Sequence, residues 1–157
     1  MKTRASWREK LEKEQEPKTV DVPPKMVKRL GAEKMLIPRP LDVDTLIRKV
    51  EKGGLVTQNQ IRARLAKDFG VDVTCPITTG IFIRIAAEAA EEDLRSGSKE
   101  ITPYWRVIKS DGGLNPKFPG GVEAQAVHLR EEGHIILKSE GKKPPRVKDF
   151  EKYLQKL

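Results

Sequence analysis

Apolar residues recur at helical spacing in the first part of the chain that reads as globular. Four of them lie three and four residues apart, namely Val43, Leu46, Ile47 and Val50. This spacing places them on one face of a helix. Asp42 or Asp44 can cap its start, and Gly53-Gly54 ends it. The pattern therefore predicts that the globular domain begins at Leu41 with an amphipathic helix.

Two more helices are predicted in succession in the middle of the chain. The first spans residues 58–68, with Thr57 as its N-cap and with Ile61 and Leu65 in its apolar stripe. The second spans residues 79–94 and is apolar over much of its surface. Two helices joined by a turn form a helix-turn-helix, whose second helix enters a groove of DNA. A helical pair without any role in DNA binding has the same pattern and stays an alternative.

The two ends of the chain differ from its middle. Residues 1–40 are charged and interrupted by prolines, with short helical patterns at 6–15 and 24–30 and no alternating apolar strand. They are predicted to form an arm that wraps around the domain or extends from it. Residues 122–132 predict a further helix that Gly133 ends, and residues 134–137 predict a short strand. The predicted division is an arm at 1–40, a domain at 41–137, and a basic tail at 138–157 that includes a short helix.

Composition narrows the class of partner. The 157 residues suit one domain, and 31 Lys and Arg against 23 Asp and Glu give a net charge of +8. This charge favours a polyanionic partner, because cations neutralise phosphates and release counterions. The single cysteine excludes an internal disulfide. With two histidines besides it, the sequence predicts no metal site, and it predicts no cofactor. The single cysteine indicates a reducing, cytoplasmic setting, and no apolar stretch is long enough for a membrane span. We expect a monomer, associated with the nucleoid if the source is prokaryotic.

One motif carries a family resemblance. Its parts are Pro103-Tyr104-Trp105-Arg106-Val107, then Lys109-Ser110-Asp111-Gly112-Gly113-Leu114, then Pro119-Gly120-Gly121-Val122. The stretch resembles the C-terminal domain of the O6-alkylguanine-DNA alkyltransferases, whose signature runs Pro-Cys-His-Arg-Val, a polar turn ending in Gly, and Gly-Gly before a helix. Upstream, Gly54-Leu55-Val56-Thr57 also fits the family, as does Glu132-Gly133 downstream. The resemblance covers residues 41–137 and implies a mainly helical, small α/β domain of the winged helix-turn-helix type.

The motif lacks the chemistry of its family. Tyr104 stands at the cysteine position and Trp105 at the histidine position, whereas alkyl transfer requires a thiolate and the base that activates it. The chain is therefore predicted not to be an enzyme. It is closest in kind to the non-catalytic alkyltransferase-like proteins, although those keep the histidine and carry Trp at the cysteine position. An enzyme that uses Cys75 is a third hypothesis, but a lone cysteine is usually a buried structural residue.

The resemblance implies a function and its site. It implies binding of duplex DNA in the minor groove, recognition of alkylated or otherwise damaged bases by nucleotide flipping, and signalling to DNA-repair proteins. The alternative is a general nucleic-acid-binding or partner-binding module whose base pocket is filled. The implied base pocket comprises Tyr104, Trp105, Arg106, Ser110, Gly112, Gly113 and Phe118. Tyr104 and Trp105 have the alternative of being core residues, and Arg106 that of supporting the turn.

The implied DNA contacts lie on and around the helix pair. They are Thr57, Gln58, Arg62, Thr78, Thr79, Arg84, Arg95 and Lys109. Arg84 is the candidate for the arginine that intercalates in place of a flipped base, with Arg95 as the alternative. Thr78 and Thr79 are expected to meet phosphates at a helix N-terminus. Arg62 either clamps a phosphate or keeps its helix face solvated.

Overall fold

The computed structural model describes residues 5–157, so the first four positions of the predicted arm lie outside the described residues. The helices are α1 (Trp7–Glu12), α2 (Pro24–Leu30), α3 (Pro40–Arg48), α4 (Gln58–Asp68), α5 (Pro76–Arg95) and α6 (Gly121–Glu131). The strands are β1 (Lys18–Asp21), β2 (Lys34–Ile37), β3 (Val56–Thr57), β4 (Val107–Ile108), β5 (Ile136–Leu137) and β6 (Arg146–Val147), and 3-10 turns occupy Tyr104–Arg106 and Phe150–Tyr153. The prediction of a small, mainly helical α/β fold is confirmed.

The 20-residue helix α5 lies at the centre of the fold. Four of its alanines, Ala86, Ala87, Ala89 and Ala90, have no exposed surface. Because their side chains are small, neighbouring elements can approach the α5 backbone closely. Helices α1 and α3 pack against α5, and Leu11 of α1 and Ile47 of α3 are fully buried in the same core.

Helices α4 and α5 form the predicted helix-turn-helix. Thr57 caps α4 as expected: its hydroxyl accepts a hydrogen bond from the Gln60 N–H (3.1 Å), and the Gln60 side chain accepts one from the Thr57 N–H (2.8 Å). Helix α5 begins at Pro76, three residues earlier than predicted. Pro76 occupies a first-turn position that proline favours, and the cap is Cys75, whose sulfur accepts from the Thr78 N–H. Cysteine is not a usual cap, and the early start was therefore missed.

The described part of the predicted arm is folded. Strands β1 and β2 pair antiparallel, with Lys18 opposite Ile37 and Asp21 opposite Lys34. The expectation that residues 1–40 contain no strand is wrong. The two paired segments are separated by residues 22–33, and one of them, Lys-Thr-Val-Asp, has a single apolar residue, so neither showed the alternating pattern of a strand. Helix α2 bridges these strands, and Met26 and Met35 are buried together with Cys75. The boundary at residue 40 stays a prediction.

The C-terminal part of the chain closes a second core. Strands β5 and β6 pair antiparallel, and β3 and β4 pair parallel, with Val56 opposite Val107. The core beneath them consists of Leu55, Ile108, Leu114, Ala126, Leu129 and Val147. Leu55 also bridges to Leu154, which joins the end of the chain to β3. Over residues 5–157, no helix is both long and apolar enough to cross a membrane.

Candidate nucleic-acid interface

Tyr104 lies inside the core. Only 1% of its surface is exposed, and its ring meets those of Trp105 and Phe118 edge-on at 5.3 Å. Its hydroxyl donates to the Glu91 carboxylate. Burial raises the pKa of the Tyr104 phenol, and the bond to Glu91 raises it further, so the phenol stays neutral. The prediction that Tyr104 projects into an open base pocket is wrong, because its ring occupies that space; the alternative of a core residue describes it.

Trp105 is fixed on two sides. Its indole N–H donates to Glu132 Oε2 (2.8 Å), and its ring stacks on that of His128, with centroids 4.1 Å apart and planes 11° apart. The side chain is half-buried. It therefore packs α6 against the 3-10 turn and leaves no room for a base on its stacked face.

Arg106 joins three segments of the chain. Its guanidinium donates to both carboxylate oxygens of Glu132 (2.9 and 2.8 Å) and to the backbone oxygen of Val50 (2.6 Å). Burial raises the pKa of Glu132, but hydrogen bonds from Arg106, Trp105 and the Gly53 N–H outweigh it and lower the pKa overall. Arg106 is thus a support of the turn rather than a pocket residue.

The glycine turn and Phe118 are also closed to a ligand. Gly112 has φ +86°, and a Cβ there would lie 2.4 Å from the ring of Phe150. Its carbonyl accepts from the Val147 N–H and its own N–H donates to Lys109, while the Gly113 N–H donates to Asp111. These backbone groups are therefore already paired. Phe118 is 3% exposed, and of the predicted pocket residues only Ser110 is freely exposed.

An open cleft of about 660 Å³ lies beside α5 instead. Its walls come from four parts of the chain that fold together: α1, the start of α4, the first half of α5, and the segment 109–117. The lining residues are Trp7, Lys10, Gln58, Pro76, Ile77, Gly80, Ile81, Arg84, Ile85, Lys109, Asn115, Pro116 and Lys117. Its volume falls within the range of about 300–1,000 Å³ that is usual for small-molecule sites.

The cleft has one sign of charge and an apolar floor. Lys10, Arg84, Lys109 and Lys117 line it, and none of the described residues that line it is acidic. Ile77 and Ile81 are 61% and 53% exposed, which is unusual for two isoleucines one turn apart on a helix. Such a surface suits a ligand that is anionic at one part and flat or apolar at another.

The structure brings three of the predicted DNA contacts into this cleft. Gln58, Arg84 and Lys109 all line it, and the Gln58 amide also donates to the Pro76 carbonyl (3.4 Å). Arg84 and Lys109 are exposed. Helix α5 and the segment after β4 therefore present their cations to the same space.

The other predicted contacts lie elsewhere or are engaged. Thr57 is 6% exposed and caps α4. Thr79 has no exposed surface, because it lies in the first turn of the longer α5, where its hydroxyl donates to the Cys75 backbone carbonyl (2.7 Å). The Thr78 hydroxyl bonds to the sulfur of Cys75. These positions do not form the expected phosphate site at an α5 N-terminus.

The two remaining arginines lie away from the cleft. Arg62 is half-buried and donates to the Thr74 carbonyl (3.0 Å). Arg95 is the last residue of α5, about 16 Å along the helix axis from Arg84 at 1.5 Å per residue. Arg84 is thus the arginine of the two candidates that the fold places at the cleft.

Sequence reasoning missed the α1 wall of the cleft. The N–H groups of Trp7 and Arg8 donate to the two carboxylate oxygens of Glu92 (3.0 and 3.1 Å), and the Arg8 guanidinium pairs with Asp93. These partners are 84 and 85 residues away, and no local pattern signals them. Ile77 and Ile81 gave no signal of this cleft either, because two isoleucines four residues apart on a helix ordinarily indicate a buried face.

Cys75 belongs to a different part of the molecule from Tyr104. It is 4% exposed and packs with Val22, Met26 and Met35, whereas Tyr104 belongs to the core around α5. The thiol caps α5 and is therefore structural. In the part of the chain that the structure describes, no three His, Cys, Asp or Glu side chains group as a metal site would require.

The fold is similar to that of two solved structures. It is similar to the crystal structure of S. pombe Atl1 in complex with damaged DNA containing O6-carboxymethylguanine, with a TM-score of 0.52, 19% identity, and coverage of 75% of this chain and 94% of that chain. It is also similar to S. pombe ATL in complex with DNA, with a TM-score of 0.51, 19% identity and the same coverage. No protein-family model matches the sequence, and no curated protein matches it.

Proposed function

We propose that this chain is a non-catalytic DNA-binding protein of the alkyltransferase-like type. The cleft beside α5 is the observation that carries the proposal. It lies against the second helix of a helix-turn-helix, four cations line it, and none of its described lining residues is acidic. Both similar structures hold DNA, and the net charge of +8 favours the same class of partner.

The absence of catalysis follows from the residues at the reacting positions. The phenol of Tyr104 is neutral, buried and hydrogen-bonded to Glu91, and so it is a poor nucleophile. The indole N–H of Trp105 donates to Glu132 and cannot accept a proton as a histidine would. The protein would act by binding, as a monomer in the cytoplasm.

Recognition of damage and signalling to repair proteins form the finer part of the proposal. Flipping a base costs a few kcal/mol, and the cost is smaller at a lesion that weakens pairing. A binder can therefore prefer damaged DNA without altering it. Because Tyr104 fills the space at the motif, a flipped base would have to enter the cleft.

A second candidate is a nucleic-acid binder with no preference for lesions. The burial of Tyr104, at 1% exposure, favours it, since the pocket that reads the base in the resemblance is closed here. The two candidates share the cationic cleft and differ in whether a base enters the protein.

Fluorescence anisotropy separates these outcomes. Labelled duplexes with guanine or O6-methylguanine are titrated at two salt concentrations with the wild type, Arg84→Ala, Lys109→Ala and the control Lys52→Ala, which removes an exposed cation outside the cleft lining. We expect Arg84→Ala and Lys109→Ala each to weaken binding about tenfold and to reduce the salt slope by about 0.9 for each phosphate that the variant no longer neutralises. Lys52→Ala should change neither.

The comparison of the two duplexes decides between the candidates. A preference of about tenfold or more for O6-methylguanine supports a damage reader. Equal, salt-sensitive binding of both duplexes supports the binder without lesion preference. If the wild type binds neither duplex at low salt, the proposal that this chain binds DNA is wrong.

A further inference from the structure

Trp7 is the one aromatic side chain among the described residues that line the cleft. It is held there from two directions. Its backbone N–H is bonded to Glu92, and one turn later Leu11 is buried without exposed surface in the core around α5. The indole is therefore positioned by the fold, although it lies near the end of the chain.

The indole ring has cations on it and apolar side chains near it. Lys10 Nζ lies 4.2 Å from the ring centroid, and the Arg84 guanidinium carbon lies 5.9 Å from it. The same cleft contains Ile77 and Ile81, which are largely exposed. Lys10 and Arg84 thus lie over a flat apolar surface, and both are exposed side chains that can move to the adjoining phosphates when a base takes their place on the ring.

We infer that this cleft is a nucleobase-binding site, in which Trp7 stacks on one unpaired nucleotide of a nucleic-acid strand. The base lies against Trp7 and the isoleucines of α5, and the adjoining phosphates contact Lys10, Arg84 and the cations of the segment 109–117. The inference rests on the proposed function and gives it a base site that is separate from the motif at Tyr104.

Charge and chemistry select this occupant over a protein segment. Every charged described residue of the lining is a cation, so the occupant is an anion. Stacking on an aromatic ring tolerates every base, because each has a π-face, and the phosphates supply the negative charge on both sides. An acidic peptide would satisfy the cations but would leave the indole and the isoleucines without a flat partner.

The test uses 2-aminopurine as a fluorescent base. One duplex carries a single bulged 2-aminopurine and a matched duplex carries it fully paired, and both are titrated with the wild type, Trp7→Ala, Trp7→Phe and the control Ile135→Ala. Ile135 is 61% exposed and lies outside the cleft lining. Affinity is read by anisotropy and stacking by the 2-aminopurine emission.

We expect the wild type to bind the bulged duplex at least fivefold more tightly and to quench its emission. Trp7→Ala should lose about fivefold to a hundredfold in affinity for the bulged duplex, as expected for one base stacked on an aromatic ring, and should lose the quenching. It should bind the paired duplex as the wild type does. Trp7→Phe keeps a ring and should keep most of the preference, and Ile135→Ala should change nothing.

Three results would overturn the inference. Equal affinity of the wild type for both duplexes, without quenching, removes the base site but leaves DNA binding by the cleft intact. Quenching that persists in Trp7→Ala shows that the base lies elsewhere. Failure to bind either duplex removes the inference together with the proposed function. Thermal melting of both Trp7 variants checks the fold, and Trp7→Leu, which keeps an apolar side chain but has no ring, replaces Trp7→Ala if that variant melts early.

Discussion

The ring of Tyr104 is buried at the Pro103–Val107 motif, where the resemblance implies a base pocket. It contacts two other aromatic rings edge-on, and its hydroxyl is bonded to Glu91. A side chain of this size stands where the resemblance places a small thiol, and it is buried among its neighbours. Its contribution should therefore be to stability rather than to binding.

Truncation of Tyr104 tests this assignment. We expect Tyr104→Ala to lower the free energy of unfolding by about 3–5 kcal/mol, as large-to-small changes of buried aromatic residues do. Tyr104→Phe keeps the ring and loses the bond to Glu91, and should cost about 1 kcal/mol. Urea denaturation measures both. A Tyr104→Ala variant as stable as the wild type would show that the ring is not packed as described.

The carboxylate of Glu132 should make the stability of the protein fall as the pH is lowered. Although burial raises the pKa of Glu132, the hydrogen bonds to it lower the pKa in the folded protein below its ordinary value near 4.5. The contribution of the Glu132 carboxylate to stability is therefore complete above the pKa that this residue has in the unfolded chain. It is lost as the pH falls through the lower pKa that it has in the folded protein.

Denaturation between pH 7 and pH 3 measures the contribution of this carboxylate. Glu132→Gln should lower the stability at pH 7 by about 3 kcal/mol, because it leaves the half-buried Arg106 without its charged partner. The variant should also lose less stability than the wild type as the pH falls below about 4.5. Parallel pH profiles of the two proteins would contradict the role assigned to Glu132.

Helix α1 illustrates an element that has little stability of its own. Six residues are too few to form a stable isolated helix, so its order must come from packing. Leu11 supplies apolar contact in the core, and Glu92 accepts from the first N–H groups of the helix. The cleft wall thus depends on contacts of α1 with α5 and the core around it, among them buried Leu11, the bonds to Glu92 and the ion pair of Arg8 with Asp93.

Leu11→Ala tests this dependence of α1 on packing. We expect it to lower the free energy of unfolding by about 3 kcal/mol, within the range for buried leucines. Leu94→Ala is the matched control, because Leu94 is 47% exposed, and should cost well under about 1 kcal/mol. Chemical denaturation of both variants measures the difference, and equal small effects would place α1 outside the cooperative fold.

Elements with local signals were predicted from the sequence, and elements with distant partners were not. The bounds of α4 match because Thr57 and Gln60 form their cap within four residues, and α2 matches because Pro24 begins it and Gly31, at φ +69°, ends it. Strands β1 and β2 are each stabilised by pairing with the other, and helix α2 separates them in the sequence. The contact of α1 with Glu92 was not predicted either, because the bonded residues are 84 and 85 positions apart.

Over the whole molecule, the fold could be predicted from the sequence and the site could not. The glycines and the Pro-x-x-Arg-Val frame of the motif specify turns, and turns determine the fold. The state of the pocket depends on the volume at one position, where Tyr104 is buried. The open cleft requires four separate parts of the chain, and of its lining only Gln58, Arg84 and Lys109 were predicted as contacts from the sequence.

The buried thiol of Cys75, which caps α5, can report local opening of the protein at the start of that helix. Cys75 is the one cysteine of the sequence, is 4% exposed, and contacts both the helix-turn-helix and the apolar cluster beneath β1 and β2. A maleimide can reach its sulfur only when the start of α5 separates from that cluster, so the labelling rate equals the rate for an exposed thiol multiplied by the open fraction. A ligand that binds in the cleft and holds α5 in place lowers the open fraction and slows this reaction. The labelling rate of Cys75 therefore measures how far the cleft is occupied.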